Sequence, residues 1–582
     1  MKKITIKIDG KKITCTEGKM ILRVAQENGV EIPHLCDHPD LQVKANCRMC
    51  VVKIKGRNGL FTACSTPAED EMEIVTEDKE IRRSRKTNLE LIFGQHHLDC
   101  ENCTWGKRCG LLQYQKPLRA KITRFPNRKE KRQSKQFGPI IFEGKKCIDC
   151  RNCVEVCPVG YYEIEKRGSD ISIEPSKDKN KDCVYCGQCI IHCPVGAIKS
   201  DGEFEEMEKV FELKKQGKVL VVQFAPSIRT SIGEEFGMPY GSIATDKLSA
   251  ALKKLGFDYV FDTSVGADFT TTEEAGEAIE RILSGKDLPI FTSCCPSWVK
   301  YVEFYHPHLR KNISHARSPQ MMLASIVKNY FAPKQKIDPK NIVMVSIMPC
   351  TAKKYEASRP ELNFENGLKP IDYVWTTREL AWILKDKKID LKTIKDDPAD
   401  NPLGDPSGAG VLYGASGGVM ESALRTAYFR LFGRDLQKVD FEQVRGQDGI
   451  KRATIRLCKP VKFGGDKCVE LRVAVVNGLK NAKIILDELK EDPKKYQFVE
   501  VMACPGGCIG GGGQPLPTNE EIRQKRAASL YQIDKIKKVR LAHQNPQVQQ
   551  VYKEFLTDKK LTKKMFEVDF KPEGKSKIKI KK

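Results

Sequence analysis

Seven cysteines lie after residue 200, and five of them stand close behind apolar, strand-like runs: Cys294 and Cys295 in "FTSCCPSW", Cys350 in "SIMPCTAKKYE", and Cys504 and Cys508 in "EVMACPGGCIGGGGQP". Thiolates are soft ligands, so any four of these five could close around an iron-sulfur cubane, with buried structural thiols as the alternative. Glycines 506, 507 and 510 to 513 favour the metal reading, because a backbone stripped of side chains can approach a bulky group closely. Adjacent cysteines point in different directions, so Cys294 and Cys295 are not expected to serve one metal in the same way. In "TTEEAGEAIERILSG" Glu274 and Glu277 are three apart and Arg281 follows four later, which puts all three on one helix face. Taken alone, that is a solvated, salt-bridged face, and Lys353 beside Lys354 is an ordinary surface lysine.

The other sixteen of the 23 cysteines precede residue 200. "CIDCRNCVEVCP" (147 to 158) and "CVYCGQCIIHCP" (183 to 194) repeat CxxCxxCxxxCP at an offset of 36. In this spacing three cysteines wrap one 4Fe-4S cubane and the fourth crosses to a second. One centre is assigned Cys147, Cys150, Cys153 and Cys193, the other Cys157, Cys183, Cys186 and Cys189; two zinc sites are the alternative. Upstream, Cys100, Cys103 and Cys109 leave one corner of a cubane open, which an imidazole can fill; His96 has the spacing HxxxCxxCxxxxxC, and His97 competes. Cys36, Cys47, Cys50 and Cys64 resemble the ligand set of plant-type 2Fe-2S ferredoxins, although ten residues separate the first pair where four are usual; zinc is again the alternative. Cys15, Cys458 and Cys468 match no cluster and read as structural thiols.

Clustered cysteines indicate metal binding in a reducing compartment rather than a disulfide framework. No secretory leader is legible and no apolar run approaches the ~18 residues that span a bilayer, so the cytoplasm is the expected location. The formal charge of +24 invites nucleic-acid binding, but it counts every cysteine as neutral. Metal-bound thiolates shrink that surplus, and the segments 119 to 135 and 571 to 582 read as a solvated face and a loose tail; no nucleic-acid partner is expected.

These residues need elements to position them. "KKITIKIDGKKITC" reads as a hairpin turning at Asp9-Gly10, followed by a helix in "GKMILRVAQENGV". After Asp201, strand-like runs ("GKVLVVQFAPS", "KNIVMVSIMPC", "CVELRVAVVNG", "YQFVEVMACPGG") alternate with amphipathic helices, the pattern of an α/β domain of about 300 residues. Beyond Pro517 the chain reads as polar helices wrapped on the outside.

The motifs "TSCCPSW", "MPCTAKKYE" and "EVMACPGGCIGGGGQP" resemble the three signatures of the iron-iron (FeFe) hydrogenases, and the cysteine series before them resembles the relay of the larger, clostridial-type members. The resemblance spans essentially the whole chain and implies a multidomain α+β and α/β fold. Its parts are a β-grasp 2Fe-2S domain (1–79), a His/Cys3 4Fe-4S segment (80–125), a two-cluster 4Fe-4S ferredoxin domain (138–210), and a two-lobed α/β catalytic domain (211–518). C-terminal helices like a small subunit (519–570) and a basic tail (571–582) follow.

The resemblance further implies that Cys295, Cys350, Cys504 and Cys508 hold the 4Fe-4S part of an H-cluster, Cys508 also bridging to a two-iron subcluster with carbonyl, cyanide and a dithiolate bridge. One 2Fe-2S and three accessory 4Fe-4S clusters accompany it, with His96 as a ligand of one. It casts Lys353 as a donor to cyanide, and Pro226, Ser227, Pro319, Gln320, Met348 and Met502 as the pocket wall. Cys294, Glu274, Ser314, Glu277 and Arg281 become a proton relay. The implied reaction is reversible reduction of two protons by two electrons to dihydrogen, with ferredoxin or a similar acidic electron carrier as partner and maturation proteins to build the cluster.

The alternative is the catalytic subunit of a multimeric, NAD(P)-linked or electron-bifurcating hydrogenase whose flavin or nicotinamide sits on partner subunits; a hydrogen sensor lacks its signalling domain here. No dinucleotide fingerprint is present. Two departures from the family stand out: Ser297 where glycine is commoner, and Tyr413 where phenylalanine is expected, neither touching a ligand.

Overall fold

The computed structural model describes every residue except 1, 99, 101, 102, 104, 106–108, 128–131, 168, 169, 203, 437, 460–466 and 582, and leaves the side chains of 166, 167, 170, 205, 459 and 467 undescribed. The chain forms two compact units that interleave in sequence. The first comprises residues 1–181, 188–199 and 577–582; the second comprises 182–187 and 200–576.

The first unit opens with the expected hairpin. β1 (Lys3–Ile8) pairs antiparallel with β2 (Lys11–Thr16), and the turn falls at Asp9-Gly10, both with positive φ. Alternation buries Ile4, Ile6 and Ile8 on one face, with Cys15 on the same core. β3 (Val51–Ile54), β4 (Phe61–Thr62) and β5 (Glu73–Val75) complete a sheet of order β2-β1-β5-β3-β4.

A second sheet contains β6 (Ser134–Phe137) and β7 (Ile140–Glu143), while β8 (Tyr162–Arg167) and β9 (Asp170–Pro175) form a separate hairpin. β10 (Ile198–Ser200) borders β7, and the outer partner of β6 is the strand Ile578–Lys581. The tail is therefore not loose. Its alternating Ile and Lys pair antiparallel with β6, from Ile578 opposite Phe137 to Lys581 opposite Ser134. The basic run before β6 also departs from a purely solvated face, since Arg132 is buried in a two-pronged ion pair with Asp149 at 2.8 and 3.1 Å.

The second unit contains two four-stranded sheets. In one, β11 (Val219–Phe224), β12 (Tyr259–Asp262), β14 (Ile342–Met348) and β15 (Tyr373–Thr376) are all parallel in the order β12-β11-β14-β15. β14 is buried at every residue, as expected of a parallel strand covered on both faces. In the other, β13 (Ile290–Phe291), β18 (Phe498–Met502) and β17 (Lys467–Asn477) are parallel, and β16 (Ile450–Lys459) adds an antiparallel edge. Cys458 and Cys468 face each other across β16 and β17 and are joined as a disulfide, where free structural thiols were expected.

The C-terminal helices are less peripheral than their polarity suggests. The helix Glu520–Ile536 buries Arg526 and Asp534 with Leu530. Asp534 belongs to a charge network: Arg425 reaches it at 2.9 Å and Glu421 at 2.7 Å, Arg445 reaches Glu421 and Asp440 at 2.7 Å each, and Arg540 reaches Asp440 and Asp534. Three guanidiniums meet three carboxylates, so the buried charges balance.

Candidate active site

Every catalytic motif begins where a parallel strand ends, the place at which α/β sheets build sites. Pro226 and Ser227 follow β11, Cys294 and Cys295 follow β13, Cys350 follows β14, and Cys504 and Cys508 follow β18. They converge on a cavity lined by all five of these cysteines. Pro226, Pro319, Gln320, Met348, Met502 and Lys353 also line it, which brings together most of the wall expected from sequence. Ser227 is fully buried, and its hydroxyl has no hydrogen-bond partner among the described residues. Arg229, which the sequence reading missed, fixes this wall by donating to the Pro226 carbonyl at 3.0 Å and to Asp262 at 2.6 and 2.8 Å.

The donor set fits an iron-sulfur group. Burial, then the charge of neighbouring thiolates, pushes Cys350 and Cys508 up to about 12 and Cys504 well above the ordinary thiol value, so only a bound cation makes thiolates of them near neutral pH. Cys295 is raised by burial too, against N–H donors from Ala503, Trp298 and Ser297. The Ser297 side chain is buried, and its hydroxyl has no hydrogen-bond partner among the described residues. Glycine is required around the cavity: a Cβ on Gly511 would lie 2.2 Å from the Pro349 carbonyl oxygen, and one on Gly507, at φ +87°, 2.6 Å from the Ser416 nitrogen.

Buried polar atoms still face inward. Gln320 spends its amide on Glu356 at 2.6 Å and leaves its oxygen without a hydrogen-bond partner among the described residues. Lys353 is buried and holds the Cys294 carbonyl at 3.0 Å and Glu356 at 2.9 Å, so one of its three N–H groups has no acceptor among the described residues.

The helix carrying the acidic residues is longer than its sequence pattern, running Thr263–Ser284. It does not present a solvated face, because Glu274 and Arg281 are buried. Glu274 is pushed up to about 8, chiefly by burial; the Ser293 N–H lies 3.3 Å from its Oε1, and its Oε2 has no hydrogen-bond partner among the described residues. Ser314 donates to Glu277 at 2.7 Å and lies near enough to Glu274 to ease its ionisation.

Glu277 accepts from Arg281 at 2.5 Å and contacts the ring of His315 at 2.6 Å. Burial pushes the Glu277 carboxyl up, but the His315 hydrogen bond and the Arg281 charge prevail and hold it below its usual value. His315 was not singled out in the sequence, although it follows Ser314 directly. It is partly exposed, with Asp569 3.8 Å away, and so brings this row of groups to the surface. On the inner side, burial and then the charge of Glu274 raise Cys294 far above an ordinary thiol.

Tyr413 lines the cavity in the same apolar cluster as Cys294 and Cys295, and its hydroxyl meets Thr271 at 2.9 Å. The departure at 413 therefore lies at the site.

A pH dependence follows. Folding raises Glu274 from 4.5 to about 8, so between those values the folded chain keeps a proton that the unfolded chain releases, and stability from this group declines as pH rises through that window. In infrared difference spectra against Glu274→Gln, a protonated carboxyl band is expected at pH 7 and should disappear with a midpoint near 8. A carboxylate already ionised at pH 6 would contradict this.

The cluster loops are built for sulfur ligation as well. Positive φ occurs at Asp149 and Arg151 in the first repeat and at Tyr185 and Gly187 in the second, the same offset of 36 as in the sequence. Backbone N–H groups of Asp149 and Tyr185 lie 3.4 and 3.3 Å from the sulfurs of Cys147 and Cys183. Near the N-terminus the Cys36 sulfur receives the N–H groups of Asn46 and Cys47 at 3.3 and 3.4 Å. His96, Cys100, Cys103 and Cys109 line one small cavity; His96 is buried with Nδ1 2.7 Å from the Lys146 carbonyl, whereas His97 is exposed.

Within the second unit, residues 182–187 press the second CxxC against the active-site loops. The Cys504 sulfur lies 3.9 Å from the Cys186 carbonyl, and Thr351 donates to the Tyr185 carbonyl at 2.6 Å. A Cβ on Gly512 would come within 2.5 Å of the Gly187 Cα.

Residues 218–512 match the family model of the iron-only hydrogenase large subunit, C-terminal domain. The chain belongs to the iron-iron hydrogenases. Around that match, residues 1–79 fit a 2Fe-2S iron-sulfur cluster binding domain, 146–197 a 4Fe-4S dicluster domain, and 520–568 the iron hydrogenase small subunit. Among relatives, the NADP-reducing hydrogenase subunit HndD of Solidesulfovibrio fructosivorans is 39% identical over 578 residues, covering 96% of each chain. Iron hydrogenase 1 of Clostridium pasteurianum is 37% identical over 565 residues, covering 95% of this chain and 96% of its own. A solved variant of the FeFe-hydrogenase HydA1 from Chlamydomonas reinhardtii is 40% identical, with TM-score 0.56, covering 63% of this chain and 99% of its own. This iron-iron hydrogenase accordingly interconverts protons and electrons with dihydrogen and binds 2Fe-2S and 4Fe-4S clusters and the H-cluster. No helix among its described residues is long and apolar enough to cross a membrane.

Proposed function

We propose that Cys295, Cys350, Cys504 and Cys508 hold the 4Fe-4S part of the H-cluster and that Cys508 also carries its two-iron part. The observation that supports this most is the convergence of four cysteines from three strand-end loops on one cavity in which Gly507 and Gly511 stand where a Cβ would collide. When bound, the group supplies the redox centre for making and splitting dihydrogen.

The protein's own residues do the rest. Lys353 gives its remaining N–H to an anionic ligand in the cavity, while Ser227 and Gln320 present buried polar atoms to it. Pro226, Pro319, Met348 and Met502 keep water out. Cys294 holds a proton on its sulfur at neutral pH and exchanges it with Glu274. From there Ser314, Glu277 and Arg281, with His315 at the mouth, conduct it to the surface.

In the relay, Cys36, Cys47, Cys50 and Cys64 hold a 2Fe-2S cluster in a β-grasp domain, and His96 joins Cys100, Cys103 and Cys109 around a 4Fe-4S centre. The paired CxxCxxCxxxCP motifs hold two more. The two sheets of the second unit correspond to two lobes of the catalytic domain. The cysteine usage suits a reducing cytoplasm, and a ferredoxin-like acidic carrier suits the basic chain. A second reading, in which the chain is the catalytic subunit of a larger NADP-linked assembly, is favoured by its full-length likeness to HndD.

Anaerobic purification from the native host, followed by infrared spectroscopy and hydrogen assays with viologen, ferredoxin and NADP, tests both. Carbonyl and cyanide bands with viologen- and ferredoxin-linked turnover are expected. Absence of the bands from matured protein would overturn the active-site proposal, and a co-purifying chain that confers NADP reduction would establish the second reading.

A further inference from the structure

The ten residues between Cys36 and Cys47, where about four are usual, form a loop that reaches the 4Fe-4S dicluster segment. The backbone N–H of Gln42 and the Lys44 ammonium both meet the carboxylate of Glu155, on the helix Asn152–Val156, and Lys44 also holds the Gln42 carbonyl at 2.9 Å. At the end of the loop, the Asn46 side-chain amide donates to the Asp149 carbonyl at 2.9 Å. All of these residues belong to the first unit.

Asn46 also serves the opposite side. Its backbone N–H and that of Cys47 converge on the Cys36 sulfur at 3.3 and 3.4 Å, two successive amides flanked by positive φ at Ala45 and Arg48. On the far side, Asp149 turns its own N–H to the Cys147 sulfur at 3.4 Å. A run of covalent and hydrogen bonds thus joins sulfur to sulfur, from Cys36 through the backbone and side chain of Asn46 and through Asp149 to Cys147. Beside it, Cys47 and Cys150 line one cavity with Asn46 and Asp149. Electronic coupling decays far more steeply across such a gap than along bonds. The two ligand sets also feel each other: burial and then the charge of Cys193 push the Cys150 thiol up to about 12, and the charge of Cys36 adds to this.

We propose that Asn46 is a positioning residue for electron transfer, the bridge by which the centre held by Cys36, Cys47, Cys50 and Cys64 exchanges electrons with the centre held by Cys147, Cys150, Cys153 and Cys193. The inference rests on those ligand sets as proposed above. The step is a one-electron exchange in which one centre is oxidised as the other is reduced; no bond forms or breaks and no proton moves. The extended gap after Cys36 supplies the reach, Glu155 holds the loop in place, and Asn46 provides the coupling. A hydrogen bond from the backbone of Asn46 to the ligand sulfur and one from its side chain to the next ligand loop give this single residue both ends of the path.

The test uses the full chain, cluster-loaded and anaerobically purified. A redox titration followed by electron paramagnetic resonance first records the 2Fe-2S and 4Fe-4S signals and their midpoint potentials. A sub-stoichiometric pulse of photoreduced viologen is then given to the oxidised enzyme, and rapid freeze-quenching follows the 2Fe-2S signal, which persists at temperatures where 4Fe-4S signals broaden, to its equilibrium intensity. Asn46 is exposed, so its replacement opens no core. Asn46→Leu, of similar bulk but without the amide, should slow this redistribution about tenfold, with both signals at full intensity and both potentials unchanged. Asn46→Gln keeps the donor and should recover part of the rate. Wild-type redistribution in Asn46→Leu would overturn the bridge and leave the ligand sets standing, whereas a wild type without a 2Fe-2S signal would overturn the ligand sets and the bridge with them. Equal slowing in both variants, or loss of either signal, would make Asn46 a merely structural residue and overturn the bridge as well.

Discussion

Replacing Cys294 by alanine is expected to lower hydrogen turnover about a thousandfold or more, while the carbonyl and cyanide infrared bands of the matured enzyme persist. The size follows from the setting. The thiol is buried, and burial together with the nearby Glu274 holds it protonated far above neutral pH. Apart from the four proposed ligands, Lys353 and Tyr413 are the other side chains with an exchangeable proton on a titratable group among the described residues that line the cavity, and both are committed to partners, Lys353 to Cys294 and Glu356, Tyr413 to Thr271. Removing the sulfur cuts the step between the cavity and Glu274 without touching the four proposed ligands. Substitution by aspartate, which restores a titratable group of similar reach, should recover part of the rate. Full activity in the alanine variant would refute the proton role, and loss of the infrared bands would show instead that Cys294 helps to hold the cluster.

Arg425→Met is expected to destabilise the catalytic unit by about 3–5 kcal/mol, the usual cost of removing one partner from a buried ion pair. Arg425, Glu421 and Asp534 are all fully buried, and Arg425 bonds to both carboxylates, one on its own helix and one on Glu520–Ile536. Without it, Arg445 and Arg540 must neutralise three carboxylates, and the link between the two helices loses its fork. Arg425→Lys keeps the charge but not the geometry and should fall between. Denaturant unfolding of the cluster-loaded enzyme, followed by tryptophan fluorescence, measures both. An unchanged midpoint in the methionine variant would show that the network contributes no net stability.

What the sequence disclosed was what the backbone encodes locally. The CxxC spacings, the Asp9-Gly10 turn and the β-branched runs of β11, β14, β17 and β18 each depend on neighbours a few residues apart, and each was legible. The cavity wall was legible only because motifs of known type marked Pro226, Pro319, Gln320, Met348 and Met502, since nothing in an isolated proline or methionine points to a site. Long-range pairings were hidden. Nothing near Gly187 or Gly512 announces that their backbones meet, and Arg229 reads as one more surface charge until Asp262 is brought to it.

Charge misled twice. The run "KSKIKIKK" has the period-two alternation of a strand, but its lysines suggested solvent; on an edge strand the two are compatible. Glu274 and Arg281 have the spacing of a solvated helix face, yet the helix lies against Ser293 and Ile313 and buries them. His315 was missed for a related reason, since a half-exposed histidine acquires meaning only from the carboxylate it contacts.

No single cut of this chain would yield both units whole. A fragment ending at residue 199 would keep β6 but lose Ile578–Lys581, leaving a bare row of N–H and C=O groups of the kind that recruits other chains. A fragment starting at residue 200 would lose the Tyr185 carbonyl that receives Thr351 and the glycine against which Gly512 is packed. A cut of this chain at residue 200 therefore leaves each unit short of a piece held by the other fragment, residues 182–187 in one case and the final strand in the other.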